Sequence, residues 1–272
     1  MAGELGWLSF FRENKKTDSN WQPQPRLYKC QHAGSAQSAV DLVRVWKKQT
    51  SFSSKMPDFY YLPLSAPCRS GMLVAKAVGV DLNMKLVDLM AGEQMKPEFV
   101  AINPQHCVPT LVDGDFTLWE SRPICTYLAS KYGKDDSLYP SDLKIRANID
   151  RLMYFDMGTL YHRFGEYVYP VVFQGQEKPD SAKLDKLHEA LDWLNGFLEG
   201  HDYAVGNSIT VADCVLVASV STFEATGIDL SKHSNVAAWL ARCKTSLPGY
   251  SEVNEPGTQE FGKFAKSKLG LN

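Results

Sequence analysis

An apolar and aromatic run, Phe59 to Leu62, is stopped by Pro63, and a second proline, Pro67, stands at the head of the stretch that follows. The first part suits a strand. A proline in the first turn of a helix does no harm, because its missing N–H would have had no partner there. The chain therefore turns from strand to helix at Ser65. From Pro57 to about Tyr132 the pattern goes on with a second strand expected over Met84 to Asp88, short connections, a hairpin and a closing helix. Lys134 to Pro140, marked by Gly, Asp, Ser and Pro, reads as a linker. Beyond it the chain is helical throughout: Leu184, Leu187, Leu191, Leu194 and Leu198 recur at three and four residues, one apolar face of a helix running up to Gly200. The expected fold class is an α+β domain over residues 57–136, a linker over 137–142 and an all-α domain over 143–272.

The strand-to-helix turn is also where chemistry is expected. Free N–H groups and the positive end of a helix favour an anion nearby. A thiol with an ordinary pKa of roughly 8.5 is mostly protonated at neutral pH, so a helix terminus plus a hydroxyl donor is a sensible device for holding a thiolate. Ser65 would stabilise such a sulfur without attacking; it would equally serve as a plain turn or cap residue.

Glu120-Ser121-Arg122 repeats the logic. Ser121 is expected to be the N-cap ahead of Ile124, Tyr127 and Leu128, in a helix that closes near Gly133. One side chain of each charge beside a helix terminus matches a zwitterionic amino-acid end, although a capped helix with solvated charges has the same sequence. Val108-Pro109 comes just before Thr110 to Leu118, a hairpin signature with Asp113-Gly114 as the expected type I′ turn. X-Pro bonds are the main place where cis peptides occur. His106, two residues before Val108, is of a type that is more often an ordinary loop residue than a ligand contact.

With 272 residues, 44% of them hydrophobic, and a formal charge of −2, the chain can bury one or two cores. No apolar run approaches the length of a membrane span, and neither a membrane nor a nucleic acid is an expected partner. Cys30, Cys68, Cys107, Cys125, Cys214 and Cys243 have no Cys-x-x-Cys spacing and too little density for a disulfide scaffold. Reduced thiols and a cytoplasmic location are the expectation. His and Cys do not cluster with metal-ligand spacing, so no metal is expected. Residues 1–56 stand apart, with nine Lys or Arg against four Asp or Glu and no sustained amphipathic period. They are expected to form a flexible extension; the basic bias also fits a transit peptide, which Glu4, Glu13 and Asp18 fit poorly.

In their order and spacing, Phe59-Tyr-Tyr-Leu-Pro-Leu-Ser-Ala-Pro-Cys-Arg69, Asn103-Pro-Gln-His-Cys-Val-Pro-Thr-Leu-Val112 and Trp119-Glu-Ser-Arg122 resemble the thioredoxin-like half of the cytosolic glutathione transferases, the insect-type delta class above all. The resemblance extends from Met56 to Asn272. It implies the glutathione transferase fold, a thioredoxin-like glutathione-binding domain followed by an all-α domain, in a symmetric homodimer with glutathione as co-substrate. It also implies site roles. Ser65 would stabilise the glutathione thiolate, Val108 would pair with the cysteinyl segment beside a cis Pro109, and His106 would lie at the glycyl end. Glu120, Ser121 and Arg122 would hold the glutamyl group. Tyr161, Phe164, Tyr169 and Phe173 would line a pocket for hydrophobic electrophiles, although aromatics at helical spacing are more often core and only some of these are expected to face it. The implied reaction is detoxifying attack of the thiolate on an apolar electrophilic carbon, with dehydrohalogenase or peroxidase side activity. This chain departs from the pattern at Leu64, where relatives usually have Gly, at Gln94, which replaces a His at the glycyl end, and at Pro123.

Thr210 and Asp213 have the spacing of an N-cap and its reciprocal N3 partner, with Ile209 placed as a hydrophobic staple, and are read as structural. Cys68 falls in the first turn of the helix that Ser65 opens, where a thiol pKa could be lowered. It keeps a thiol-disulfide oxidoreductase open as an alternative. A non-catalytic carrier of hydrophobic ligands is the other.

Overall fold

The computed structural model describes residues 56–271, so the expectations for residues 1–56 lie, Met56 apart, outside it. Four strands, β1 (Asp58–Tyr61), β2 (Asn83–Leu86), β3 (Thr110–Asp113) and β4 (Phe116–Trp119), form one sheet in the order β2-β1-β3-β4. β2 runs parallel to β1, with Met84 opposite Phe59, and begins and ends slightly earlier than expected. β3 is antiparallel to β1, with Thr110 opposite Tyr60, and β4 is antiparallel to β3, with Trp119 opposite Thr110. One end of the sheet thus gathers the exit of β1, the entrance of β3 and the exit of β4. Ser65, Val108-Pro109 and Glu120 to Arg122 all hang from that end.

The hairpin turn differs from expectation. Asp113 pairs with Phe116, so the two turn residues are Gly114 and Asp115. Gly114 has a φ of 67° while Asp115 is not left-handed, which is the type II′ pattern with glycine first in place of type I′.

Helix α1 (Ala66–Val78) packs its buried face on β1. Gly71 permits this: a Cβ there would stand 3.0 Å from Phe59 Cζ. The short α2 (Pro97–Ile102) and α3 (Ser121–Tyr132) complete the first domain. The second contains α4 (Leu143–Phe155), α5 (Tyr161–Phe173), α6 (Ser181–Phe197), α7 (Val211–Ala225), α8 (Ser234–Ser246) and α9 (Glu255–Leu269). A π-helical turn, Asp156–Leu160, carries α4 into α5 without a break. In α6 the leucine stripe is the buried face, with Leu187, Leu191 and Leu194 fully enclosed.

Helix α7 is buried on every side from Val211 to Phe223, the placement that an all-round apolar helix takes in a packed core. Its start is the expected capping box. Thr210 N–H donates to Asp213 Oδ2 at 2.8 Å, and the Thr210 side chain returns the bond. Asp213 does more than cap, since its Oδ1 also accepts from Ala204 N–H at 2.8 Å and from Trp239 Nε1 at 2.9 Å. Burial pushes this carboxyl up, against the pull of those donors.

Candidate active site

Ser65 is the N-cap of α1, with φ −80° and ψ 114°, and its Oγ accepts from Cys68 N–H at 3.4 Å. The cap reading and the thiolate reading are compatible, because an accepting hydroxyl keeps its own proton to donate. Leu64, the departure noted in the sequence, is outside the left-handed region, so this turn does not need a glycine. Cys68 corrects an expectation. It is fully buried, and desolvation pushes its thiol up to about 11, outweighing the lowering influence of the neighbouring Ser65, Leu62 and Arg69. A sealed, protonated thiol is a poor nucleophile.

The Val108–Pro109 bond is cis. No hydrogen bond engages the Val108 backbone among the described residues. The loop is shaped by Asn103, whose contribution sequence reading missed. Fully buried, it donates from Nδ2 to Cys107 C=O at 3.1 Å and to Thr110 Oγ1 at 2.9 Å, and its Oδ1 accepts from Gln105 N–H at 2.9 Å. His106 has a φ of 43° and is half-buried. Gln94, on a 3₁₀ turn over Glu93–Met95, is buried with no partner for its Oε1 among the described residues.

At the second helix entrance the cap is Glu120 and Ser121 is the first helical residue, in contrast to the expected Ser121 cap. Glu120 adopts φ 73°, ψ 116° with no side-chain capping bond. Such backbone in a non-glycine residue stores on the order of 1–3 kcal/mol and clusters at functional sites. Ser121 is buried and its Oγ accepts from Arg122 Nη1 at 2.9 Å. The other arm of Arg122 pairs with Asp156, a carboxylate that no sequence signal had singled out. Burial pushes the Asp156 carboxyl up, while Arg122 and the Ser219 hydroxyl pull it down. Arg122 Nε and Asp156 Oδ1 are buried without partners among the described residues.

The four aromatic residues come together on α5. Tyr169 OH donates to Tyr161 OH at 2.7 Å, and Tyr169 and Phe173 rings lie 5.6 Å apart. They are not equally placed. Phe164 has no exposed surface and stacks on Phe223 at 4.4 Å, which makes it a core residue, whereas Tyr161 and Phe173 are half-buried.

Residues 59–130 match the family model for the glutathione S-transferase N-terminal domain, and residues 150–246 that for its C-terminal domain. A delta-class glutathione transferase of Nilaparvata lugens is 52% identical, covering 78% of this chain and 99% of its own, with a TM-score of 0.76. A Bombyx mori glutathione transferase is 44% identical over 78% of this chain and 98% of its own, TM-score 0.75. A Drosophila mojavensis glutathione transferase homologue, solved with bound glutathione, is 38% identical over 78% of this chain and 97% of its own, TM-score 0.73. A thioredoxin-like domain before an all-α domain is the glutathione transferase fold. The chain belongs to the glutathione S-transferase family, and its similarity to the insect delta-class enzyme is the highest of the three.

Proposed function

We propose that this enzyme binds glutathione along the sheet end where Ser65, Val108 and Glu120 to Arg122 converge, and directs its thiolate at small hydrophobic electrophiles. The Ser65 hydroxyl at the α1 N-cap carries this reading. With its oxygen already accepting from Cys68 N–H, the Ser65 proton is available to the bound sulfur, and the helix terminus adds a favourable potential. Val108 N–H and C=O pair with the cysteinyl residue as an added strand beside Pro109. His106 meets the glycyl end. Glu120 takes the glutamyl ammonium, and Ser121 with Arg122 takes its carboxylate.

Tyr161, Tyr169 and Phe173 flank the electrophile, and Phe164 backs them from the core. Holding both reactants turns a two-body encounter into an oriented one. Detoxification, with dehydrohalogenase or peroxidase side activity, follows as the biological role, in a cytoplasmic homodimer. Among the described residues no helix is long and apolar enough to cross a membrane.

The test is a pH titration of thiolate absorbance for glutathione bound to the wild type and to Ser65→Ala. A bound-thiol pKa well below that of free glutathione, raised in the variant, is the expected result. Binding without a shift would point to a carrier of hydrophobic ligands, and absence of binding would overturn the assignment of the site.

A further inference from the structure

Arg69 has no exposed surface and, among the described residues, no counter-ion. Its backbone lies one turn past Ser65, with Arg69 N–H donating to Ser65 C=O at 3.0 Å. Its side chain folds back beneath the same turn. Nη1 donates to Pro63 C=O and to Leu64 C=O, each at 2.9 Å, and Nε donates to Asn254 Oδ1 at 3.0 Å. Nη2 donates to Ala218 C=O and Thr222 Oγ1 on α7. Each of these acceptors is neutral.

No carboxylate is among the groups that act most strongly on it. After burial, which lowers the guanidinium to about 10 and leaves it ionised at neutral pH, the strongest influences on it are the Tyr161 phenol, the Cys68 thiol and the Tyr250 and Tyr169 phenols. The first turn of α1 holds no acidic residue. The turn is also closed over from α9: a Cβ on Gly257 would stand 2.1 Å from Pro63 O and 3.3 Å from Arg69 Cδ. A buried guanidinium without a carboxylate is expensive, and an apolar side chain would fill the same space at lower cost.

We propose that Arg69 is a positioning residue for the transferase reaction, whose uncompensated charge beneath the Ser65 turn lowers the pKa of the bound glutathione thiol alongside the Ser65 hydroxyl. This rests on the Ser65 reading above. Its bonds to the Pro63 and Leu64 carbonyls fix the turn that aims Ser65. Covalent geometry from the Leu64 carbonyl keeps the guanidinium within roughly 9 Å of Ser65 Oγ. At about 10 Å and an effective dielectric of about 20, one elementary charge moves a pKa by about one unit.

Asn254→Asp tests the charge without removing the side chain. It keeps an oxygen where Nε–H donates, and Ser221 Oγ, now accepting from Asn254 Nδ2 at 3.0 Å, can turn its own proton to the new carboxylate. The expected result is a rise of about one unit in the bound-thiol pKa, with the acid limb of the kcat/KM profile moving equally. Thr222→Val removes a neutral acceptor, and is expected to lower the melting temperature while leaving both pKa readouts in place. Folded Asn254→Asp with an unshifted thiol pKa would overturn the proposal. So would a return of the pKa in Ser65→Ala all the way to that of free glutathione, whether or not Asn254→Asp folds. If the wild type shows no depressed thiol pKa, the Ser65 reading itself fails and the role of Arg69 falls with it.

Discussion

Arg122, in the first turn of α3, forms an ion pair with Asp156, which sits in the π-helical turn of the other domain and has no exposed surface. Arg122 is itself only 13% exposed at the side chain, so water does little to screen the pair. Removing one member of a buried pair leaves the other uncompensated, which typically costs about 3–5 kcal/mol. Asp156→Ala should therefore lower the unfolding free energy by an amount near the bottom of that range. It should also weaken glutathione binding, because the Arg122 fork loses the group that holds it. Urea denaturation and a glutathione titration check both, and unchanged stability would remove the pair from the account.

Glu120 supplies a prediction of opposite sign. Its φ of 73° suits glycine, so Glu120→Gly should relieve backbone strain. An increase in stability of about 1 kcal/mol is expected, partly offset by the extra freedom of the unfolded glycine. Glutathione affinity should nevertheless fall, since the carboxylate proposed to meet the glutamyl ammonium is gone. A variant less stable and equally tight-binding would contradict both parts.

Much of this arrangement was readable from residue order alone, and the reasons are local. Pro63, Ser65 and Pro67 act through rules that span a few residues, as do the capping box of Thr210 and Asp213 and the leucine stripe of α6. The failures are of two kinds. Where one residue of register decides, as between Asp113-Gly114 and Gly114-Asp115, or between Ser121 and Glu120 as the cap, local patterns do not discriminate. Where a partner is distant in the chain, nothing in the pattern points to it. Asp156 lies 34 residues from Arg122, and Asn254 lies 185 residues from Arg69. Phe164 shares its spacing and chemistry with Tyr161 and Tyr169, and only the position of Phe223 places it in the core. Cys68 stands in the first turn of α1, yet burial outweighs that position and raises its pKa.

Burial also enlarges what Asp213 should be worth. As a cap alone its loss would cost about 1 kcal/mol. Here Asp213→Ala orphans the N–H of Ala204, the N–H of Thr210 and Trp239 Nε1 together. Each unsatisfied buried donor costs about 1–3 kcal/mol, so a loss of roughly 3 kcal/mol or more is expected. Specific activity per folded molecule should stay close to wild type, because Asp213 touches no proposed substrate contact. Intact stability with collapsed catalysis would reverse the structural assignment.

The pH dependence of stability should carry a signature of Asp113. Its Oδ2 accepts from Tyr127 OH at 2.8 Å, Lys131 Nζ at 2.7 Å and Tyr132 OH at 2.7 Å. Desolvation raises its pKa, but these donors and the Lys131 charge outweigh it, and the net direction is down. In the unfolded chain the carboxyl titrates near its ordinary value of about 3.9, so over that range the unfolded state binds more protons. The stabilisation is fully present above that value and is lost as pH falls through the lower folded-state pKa. Asp113→Asn keeps an oxygen acceptor but has no charge to titrate. The variant should be less stable than wild type by about 1–2 kcal/mol at about pH 6, and the gap should narrow as pH falls towards about 3. Urea midpoints measured for both proteins over that range decide it, because a gap that is constant or widens on acidification would mean that Asp113 titrates no lower in the fold than outside it.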